Sequence, residues 1–321
     1  MDYVDYVAGV SIGSIIAAGL TICDEKGKYK YTTQDLMTAL APEGFLKKTP
    51  WYNIQNKFDD KFLELALEDA FKMNDCTQAT FANLKKAKLM TTSYNIDNNK
   101  QTIFTNFSII KDATPNLSQN YVDVLGSKTT LVDASMASAA LQVAFPARQM
   151  SYTLMNDEKI TDNYHIDGGN IRGTPLLEAI STLIIDNKKA LKDLVVVSIG
   201  TGTTDFDMSD LKNGSIWSYV KNILGFGKDS FINCNILCQA NSIKDTVSDL
   251  IDNANRHEKI KNFYDLNVSL DKTSYNASLD LTSLPKYQEA TQKAFVKDRV
   301  EYQELEVLAD YLLSPESPMT A

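Results

Sequence analysis

Histidine, cysteine and tryptophan are scarce in this chain. Its 321 residues include two histidines, four cysteines and two tryptophans. Two histidines leave little choice if the chemistry needs an imidazole base. Four scattered cysteines in a chain of this length fit free thiols better than a disulfide framework. Cys234 and Cys238 are four residues apart, but no further Cys or His lies close enough to complete a metal shell, so we expect no metal site.

Long runs of basic residues are also missing. The formal net charge is -9, the sequence pI is about 4.9, and no block of Lys or Arg is long enough to follow a phosphate backbone. We therefore expect no nucleic-acid partner. The same acidity opposes steady adsorption to an anionic membrane, so membrane contact would need a local apolar or basic face.

One uncharged stretch, residues 6–23, is nearly long enough to span a bilayer. It lacks the basic start of a signal peptide, and Gly9, Ser11 and Gly13 interrupt it. These small residues favour a buried strand that turns sharply into a helix. The chain is long enough for one large core, and without repeats or a low-complexity linker we expect a single domain over residues 1–321.

Strand-like and helix-like segments alternate along the chain. This alternation predicts an α/β fold, a three-layer sandwich with a largely parallel central sheet. A continuous β-branched run that ends at Gly200 is typical of a central parallel strand. The predicted strands are 3–10, 88–96, 101–107, 151–154, 163–166, 194–199 and 263–270, and the predicted helices are 12–22, 57–72, 132–143 and 176–185.

The pentapeptide Gly9-Val10-Ser11-Ile12-Gly13 lies where a predicted strand meets a predicted helix. A G-x-S-x-G sequence in this context is typical of a nucleophile elbow, in which a strained turn exposes the serine hydroxyl. We expect both glycines to be needed because a Cβ there would strike the helix or a neighbouring strand. The Ile12 amide, first in the helix, should face negative charge that develops beside Ser11.

A serine nucleophile needs a base, and the residues leave two candidates. A Ser-His-Asp arrangement in this fold class would place the histidine last, which nominates His257, although its polar surroundings resemble a solvated helix face. The other candidate is Asp167, which ends a short predicted strand and is followed by Gly168 and Gly169. It could meet Ser11 at the carboxyl edge of the sheet, or it could belong to an ordinary Asp-Gly turn.

The G-V-S-I-G-S segment at residues 9–14, together with Asp167-Gly168-Gly169, resembles the patatin-like phospholipase family. Other segments match the family's motifs in the same order along the chain, although Gly173 and Thr174 replace two asparagines before Pro175. The likeness is good over 1–205 and loose over the mostly helical part, 206–321. The further matches are residues 89–94 with 104–106, residues 134–140 with 145–146, Pro175, and residues 197–203.

The resemblance implies a Ser-Asp dyad without histidine, in which Asp167 activates Ser11. It also implies a lipid acyl hydrolase of phospholipase A type that needs no metal or organic cofactor. A carboxylate in such a dyad should sit in a partly dry pocket that raises its pKa and makes it a better base. Besides the dyad, Gly9, Ile12, Gly13, Gly168 and Gly169 are the candidate motif and oxyanion residues.

The chain departs from the family pattern at its start. The resemblance implies a first strand, a Gly-rich oxyanion loop and a helix upstream of the nucleophile, and no residue here matches them. The Gly200-Thr201-Gly202 segment is no substitute. Losing an oxyanion donor costs about 100- to 1000-fold in rate. Three explanations stay open: the protein begins further upstream, a second chain completes it, or the chain is an inactive or weakly active scaffold. That scaffold is the first rival hypothesis, and a Ser-His-Asp esterase using His257 is the second.

Contacts with a lipid surface have two candidate sources. One is an apolar stripe over residues 216–224, and the other is an aromatic cluster of Phe45, Trp51 and Tyr52; both fit a protein core as well. Arg148 and Arg172 could meet a phospholipid head group or form surface salt bridges. The resemblance also allows an activating protein partner, and either a cytoplasmic location or secretion into a host cell without a classical signal peptide.

Overall fold

A computed structural model describes residues 1–39, 58–107, 119–126, 128–142, 144–185, 189–203, 231–255, 262–269, 284–296 and 300–313. The chain divides into two compact units, Met1–Lys188 and Lys189–Ala321, and the single-domain expectation stays a prediction. The strands are β1 (Tyr6–Val10), β2 (Lys88–Asn95), β3 (Lys100–Thr105), β4 (Gln119–Val122), β5 (Arg148–Thr153), β6 (Lys159–Asp167), β7 (Val196–Ile199) and β8 (Phe263–Leu266). The helices are α1 (Ile12–Thr21), α2 (Thr33–Ala39), α3 (Asp60–Ala70), α4 (Leu131–Ser138), α5 (Leu176–Ile185), α6 (Phe231–Ala254), α7 (Leu284–Ala294) and α8 (Val300–Leu313).

The first unit contains a six-stranded sheet in the order β4-β3-β2-β6-β5, with β1 also paired to β2. The predicted α/β class is confirmed, and the arrangement is consistent with a three-layer sandwich. The sheet is mixed, however: β1–β2 and β3–β4 are parallel, whereas β2–β3, β2–β6 and β5–β6 are antiparallel. The β2–β3 and β5–β6 pairs are antiparallel because short turns, and no crossover helices, join these strands. The β2–β6 pair joins strands that are distant in the chain.

The turn between β2 and β3 follows from local polar chemistry. The Asn95 side-chain oxygen accepts hydrogen bonds from the backbone N–H groups of Asp97 and Asn98, at 3.0 and 3.2 Å. Asn99 adopts the left-handed conformation, with φ 56°, which asparagine tolerates better than most residues. The strands predicted at residues 88–96 and 101–107 are therefore present, and they pair across this turn.

Strand β2 has two partners along one of its edges. Its first half pairs in parallel with β1, where Val10 lies opposite Thr92. Its last residues pair with β6 in the antiparallel direction, where Asp167 lies opposite Ser93. Since β1 and β6 run toward each other along β2, their carboxyl ends meet beside two consecutive residues of that strand.

Helix α1 follows β1 directly and packs into the core. Its buried residues include Ile15, Ala17 and Ala18, and they belong to one apolar cluster with residues of α3, α4, β2 and β5. Gly19 permits close approach to α2, because a Cβ there would lie 2.4 Å from a methyl carbon of Leu36. Burial on this scale stabilises a fold by about 25 cal/mol per Å² of apolar surface.

In the second unit, β7 pairs in parallel with β8 in a two-stranded sheet. Strand β7 runs parallel to its partner, as predicted. A central position was also predicted for it, but β8 is its one partner within the described residues, and Ile199 is 80% exposed. Cys234 and Cys238 both fall in α6. Across the ranges given above, no helix has the length and apolar character needed to cross a bilayer.

Candidate active site

Ser11 occupies the turn between β1 and α1 in a strained backbone conformation. Its φ is 56° and its ψ is -131°, a combination that is rare for a residue with a side chain and costs about 1–3 kcal/mol. The strand-to-helix context and this conformation together match a nucleophile elbow. Its half-buried side chain lies at the point where the strand ends.

Two other serines hold this turn in place. Ser14 donates a hydrogen bond from Oγ to the Ser11 carbonyl oxygen at 2.6 Å, and its backbone N–H donates to the same oxygen at 2.9 Å. Ser138, the last residue of α4, accepts a hydrogen bond on Oγ from the Ser11 N–H at 2.9 Å. Both polar groups of the Ser11 backbone are therefore bonded, which offsets part of the strain.

The two glycines of the pentapeptide have different environments. A Cβ on Gly9 would lie 2.2 Å from the Gly13 carbonyl oxygen, so glycine is required there. A Cβ on Gly13 would have no atom within 4 Å. The steric expectation was thus correct for Gly9, which is crowded by the first turn of α1, and wrong for Gly13, whose Cβ would lie in open space.

Asp167 ends β6 with its carboxylate turned toward Ser11. The Ser11 hydroxyl donates a hydrogen bond from Oγ to Asp167 Oδ2 at 2.5 Å, across 156 residues of sequence. The other carboxylate oxygen, Oδ1, accepts from the Gly169 N–H at 2.7 Å. Each oxygen thus has a donor, and the structure brings together the two residues that the sequence nominated.

Burial changes the acidity of this carboxylate. Asp167 is only 2% exposed, and loss of water raises its pKa from 3.8 to about 6, although the hydrogen bonds from Ser11 and Gly169 act in the opposite direction. A carboxylate with such a pKa is a stronger base than an exposed one and is still mostly ionised at pH 7.

The glycines after Asp167 lie in a tight turn against β2. A Cβ on Gly168 would be 2.3 Å from the Thr92 carbonyl oxygen, and one on Gly169 would be 3.0 Å from Asp167 Oδ1. Gly168 therefore permits the close approach of this turn to β2. Gly169 leaves room for its own amide to bond the carboxylate.

Of the two histidines, His165 lies within the described residues and is part of the core. It is fully buried, and its Nδ1 lies 2.8 Å from Ser93 Oγ. Its ring packs against Tyr152 with a centroid separation of 5.4 Å. Burial lowers its pKa from 6.5 to about 4, so it is neutral at pH 7. No described contact joins His165 to Ser11.

The two arginines considered for head-group binding form ion pairs. Arg148 lies 2.7 Å from Glu64 and 3.2 Å from Asp133. Arg172 lies 2.5 Å from the carboxylate of Glu178, whose side chain is fully buried at the start of α5. The salt-bridge alternative from the sequence therefore describes both residues.

Comparison with known proteins identifies the family. A protein-family model described as patatin-like phospholipase matches residues 1–180, more than half of the 321 residues. The chain belongs to the patatin-like phospholipase family. The matched region contains both Ser11 and Asp167, so the resemblance seen in the sequence is confirmed.

Two curated relatives come from Arabidopsis thaliana. The first, named "Probable inactive patatin-like protein 9", is 22% identical over 219 residues, which cover 65% of this chain and 52% of that protein. The second, named "Patatin-like protein 1", is 25% identical over 226 residues, which cover 63% of this chain and 50% of that protein. The chain thus spans about half the length of these patatin-like relatives.

Several other predicted features lie outside the described residues. These are His257, the apolar stripe 216–224 and the aromatic cluster of Phe45, Trp51 and Tyr52. In the part of the chain that the structure describes, no three His, Cys, Asp or Glu side chains group as metal ligands. Gly200 and Gly202 form a turn around Asn267, whose side-chain oxygen accepts from the Gly202 N–H at 2.8 Å.

Sequence reasoning assigned no role to the serines that hold the elbow of this patatin-like protein. Ser138 falls within the matched segment 134–140, and Ser14 closes the matched segment 9–14. Their presence in family motifs was a signal that could have singled them out. Ile12 lies where expected, as the first residue of α1, so its N–H has no acceptor within the helix.

Proposed function

We propose that this patatin-like protein is a serine lipid acyl hydrolase of phospholipase A type, with Ser11 as nucleophile and Asp167 as base. The observation that carries the proposal is the 2.5 Å hydrogen bond from Ser11 Oγ to Asp167 Oδ2. The family assignment supports hydrolysis of lipid acyl esters in general. The dyad and the lipid substrate are inferences from geometry and chemistry.

In the first half of the reaction, Asp167 takes the hydroxyl proton of Ser11 as Oγ attacks the ester carbonyl carbon. The bond to the alcohol portion of the lipid then breaks, and Asp167 returns the proton to the departing oxygen. A fatty acyl group remains on Ser11. Burial of Asp167 favours this exchange because its pKa, raised to about 6, is close to the working pH.

In the second half, Asp167 deprotonates a water molecule that attacks the acyl carbon. The acyl–oxygen bond breaks, Ser11 regains its proton, and a free fatty acid leaves. Negative charge on the carbonyl oxygen develops beside the start of α1, where the Ile12 N–H and the positive end of the helix dipole would stabilise it. Neither half requires a metal ion or an organic cofactor.

A fluorophosphonate probe and phospholipid vesicles test this mechanism together. We expect the probe to label the wild type at Ser11, and the wild type to release fatty acid and lysophospholipid from phosphatidylglycerol or phosphatidylcholine vesicles. Ser11→Ala should abolish both signals, and Ser11→Gly, which tolerates the backbone angle of 56°, should do the same. Asp167→Asn should lower hydrolysis about 100- to 10,000-fold.

Asp162→Asn is the matched control, because Asp162 is an exposed aspartate of the same strand and should leave activity unchanged. His257→Ala tests the rival hypothesis of a Ser-His-Asp esterase. That hypothesis predicts loss of activity in His257→Ala and full activity in Asp167→Asn. Either of those results would overturn the dyad.

An inactive scaffold is the second candidate, and the name of one relative, "Probable inactive patatin-like protein 9", favours it. This alternative predicts that folded wild-type protein binds phospholipid vesicles without releasing fatty acid and without labelling at Ser11.

A further inference from the structure

We infer that Ser138 is a positioning residue, which orients the Ser11 nucleophile by tying its backbone to β2. The inference rests on the proposed role of Ser11. It concerns a side chain that would not touch the substrate but would act through the nucleophile.

The Ser138 hydroxyl bridges two segments of the site. It accepts a hydrogen bond from the Ser11 N–H at 2.9 Å and donates one to the Thr92 carbonyl oxygen at 2.8 Å. Thr92 can only accept through that oxygen and the Ser11 amide can only donate, so the direction of both bonds is determined. The hydroxyl is fully buried, and water cannot easily replace either bond.

Thr92 lies between the two strand ends that carry the dyad. It pairs with Val10, the residue before Ser11, and the next residue of β2, Ser93, pairs with Asp167. Its carbonyl oxygen also lies against Gly168, where a Cβ would be 2.3 Å away. The Ser138 bridge therefore anchors Ser11 to the residue that sets its distance from Asp167.

The bridge also compensates for an unfavourable backbone. Ser11 has a positive φ of 56°, and such conformations persist when surrounding contacts hold them. Because Ser138 occupies the Ser11 N–H, that amide cannot also donate to a developing oxyanion. The amides left for that purpose at this turn follow Ser11 in α1, beginning with Ile12.

The test compares Ser138→Ala with Ser135→Ala in the full chain. Ser135 lies one turn earlier in α4 and is equally buried, and its hydroxyl is not bonded to Ser11 or Thr92 in any described contact. We expect Ser138→Ala to slow fluorophosphonate labelling and to lower kcat for ester hydrolysis about 10- to 100-fold, with KM unchanged, because misplacement by about 1 Å has effects of this size. Ser135→Ala should leave both values unchanged.

Ser138→Cys is a second variant in case Ser138→Ala destabilises the chain. A thiol nearly preserves the shape of the side chain but is a weak hydrogen-bond donor and acceptor. Its labelling rate should fall between those of the wild type and Ser138→Ala, and Ser138→Thr should restore much of it. Equal labelling rates in the wild type, Ser138→Cys and Ser138→Ala would overturn the inference.

Amide hydrogen exchange separates this inference from the proposed function. The Ser11 amide should exchange faster in Ser138→Ala than in the wild type or Ser135→Ala, and this measurement requires no activity. If the wild type is not labelled at all, the proposed function fails, and the positioning of the elbow is then judged by exchange alone. An unchanged exchange rate of the Ser11 amide in Ser138→Ala would refute the positioning role of Ser138.

Discussion

Val10 and Asp167 are neighbours along one edge of β2, because Val10 pairs with Thr92 and Asp167 pairs with Ser93. The two residues come from strands that run in opposite directions, and each stands at the carboxyl end of its strand. Ser11 follows Val10, so its hydroxyl reaches the Asp167 carboxylate. The hydrogen bond between Ser11 and Asp167 is therefore a consequence of strand register.

The pH dependence of ester hydrolysis should report on Asp167. Only the ionised carboxylate can accept the Ser11 proton, and its pKa is raised to about 6 by burial. We expect kcat/KM to fall about tenfold per pH unit below pH 6 and to level off above it. Rates on a soluble short-chain ester between pH 4.5 and 8.5 would measure this.

His257→Ala serves as the control for that profile and should retain the same inflection. A profile that stays flat down to pH 4.5, or an inflection that disappears in His257→Ala, would contradict the assignment to Asp167.

Two buried groups should give opposite pH dependences of stability. The pKa of Asp167 is raised from 3.8 to about 6 in the folded state. Its contribution of about 3 kcal/mol to the free energy of unfolding is therefore present below pH 3.8 and is lost as the pH rises through 6. The pKa of His165 is lowered from 6.5 to about 4. The contribution of His165 to the free energy of unfolding, also about 3 kcal/mol, is present above pH 6.5 and is lost as the pH falls through 4.

Urea unfolding between pH 4 and 6.5 tests both effects. Asp167→Asn should show stability that rises with pH, because His165 remains. His165→Gln should show stability that falls with pH, because Asp167 remains. Identical slopes in the two variants would argue that neither group carries the shift assigned to it.

The glycines of the pentapeptide should respond differently to the same substitution. Gly9→Ala places a Cβ 2.2 Å from the Gly13 carbonyl oxygen, and we expect severe destabilisation or failure to fold. Gly13→Ala adds a Cβ in open space within α1 and should stabilise the protein by about 0.5–1 kcal/mol through helix propensity. Melting temperatures of the two variants, compared with that of the wild type, would test both expectations. A Gly9→Ala protein as stable as the wild type would refute the steric argument.

The pair Arg172–Glu178 should stabilise the turn after Asp167. Arg172→Ala leaves the fully buried Glu178 carboxylate unpaired, and we expect a loss of about 2–3 kcal/mol, less than for a fully buried pair because the Arg172 side chain is one-third exposed. The double variant Arg172→Ala with Glu178→Gln should be more stable than Arg172→Ala alone. Additive losses in urea unfolding would show that the ion pair is not the cause.

The local elements and the residue types of the site could be predicted from the sequence. The short segment Tyr6-Val7-Ala8 before Gly9 and an apolar run after Ser11 predict a strand, a turn and a helix because these patterns depend on near neighbours in the chain. The residues alone left Asp167 and His257 as candidate bases, and the family motifs decided in favour of Asp167. The sequence did not predict that the sheet is mixed, since strand direction depends on how distant segments pair.

Tertiary structure alone decided how the site is held together. Ser11 and Asp167 are 156 residues apart, and only the shared register on β2 brings them within a hydrogen bond. The bridging hydrogen bonds of Ser138 and the different steric environments of Gly9 and Gly13 depend on close approach in three dimensions. The raised pKa of Asp167 was expected from the family resemblance, but its cause is burial in the folded chain. The sequence by itself determined which chemical groups are present, because composition and local pattern are properties of the chain, whereas distance and solvation arise only when it folds.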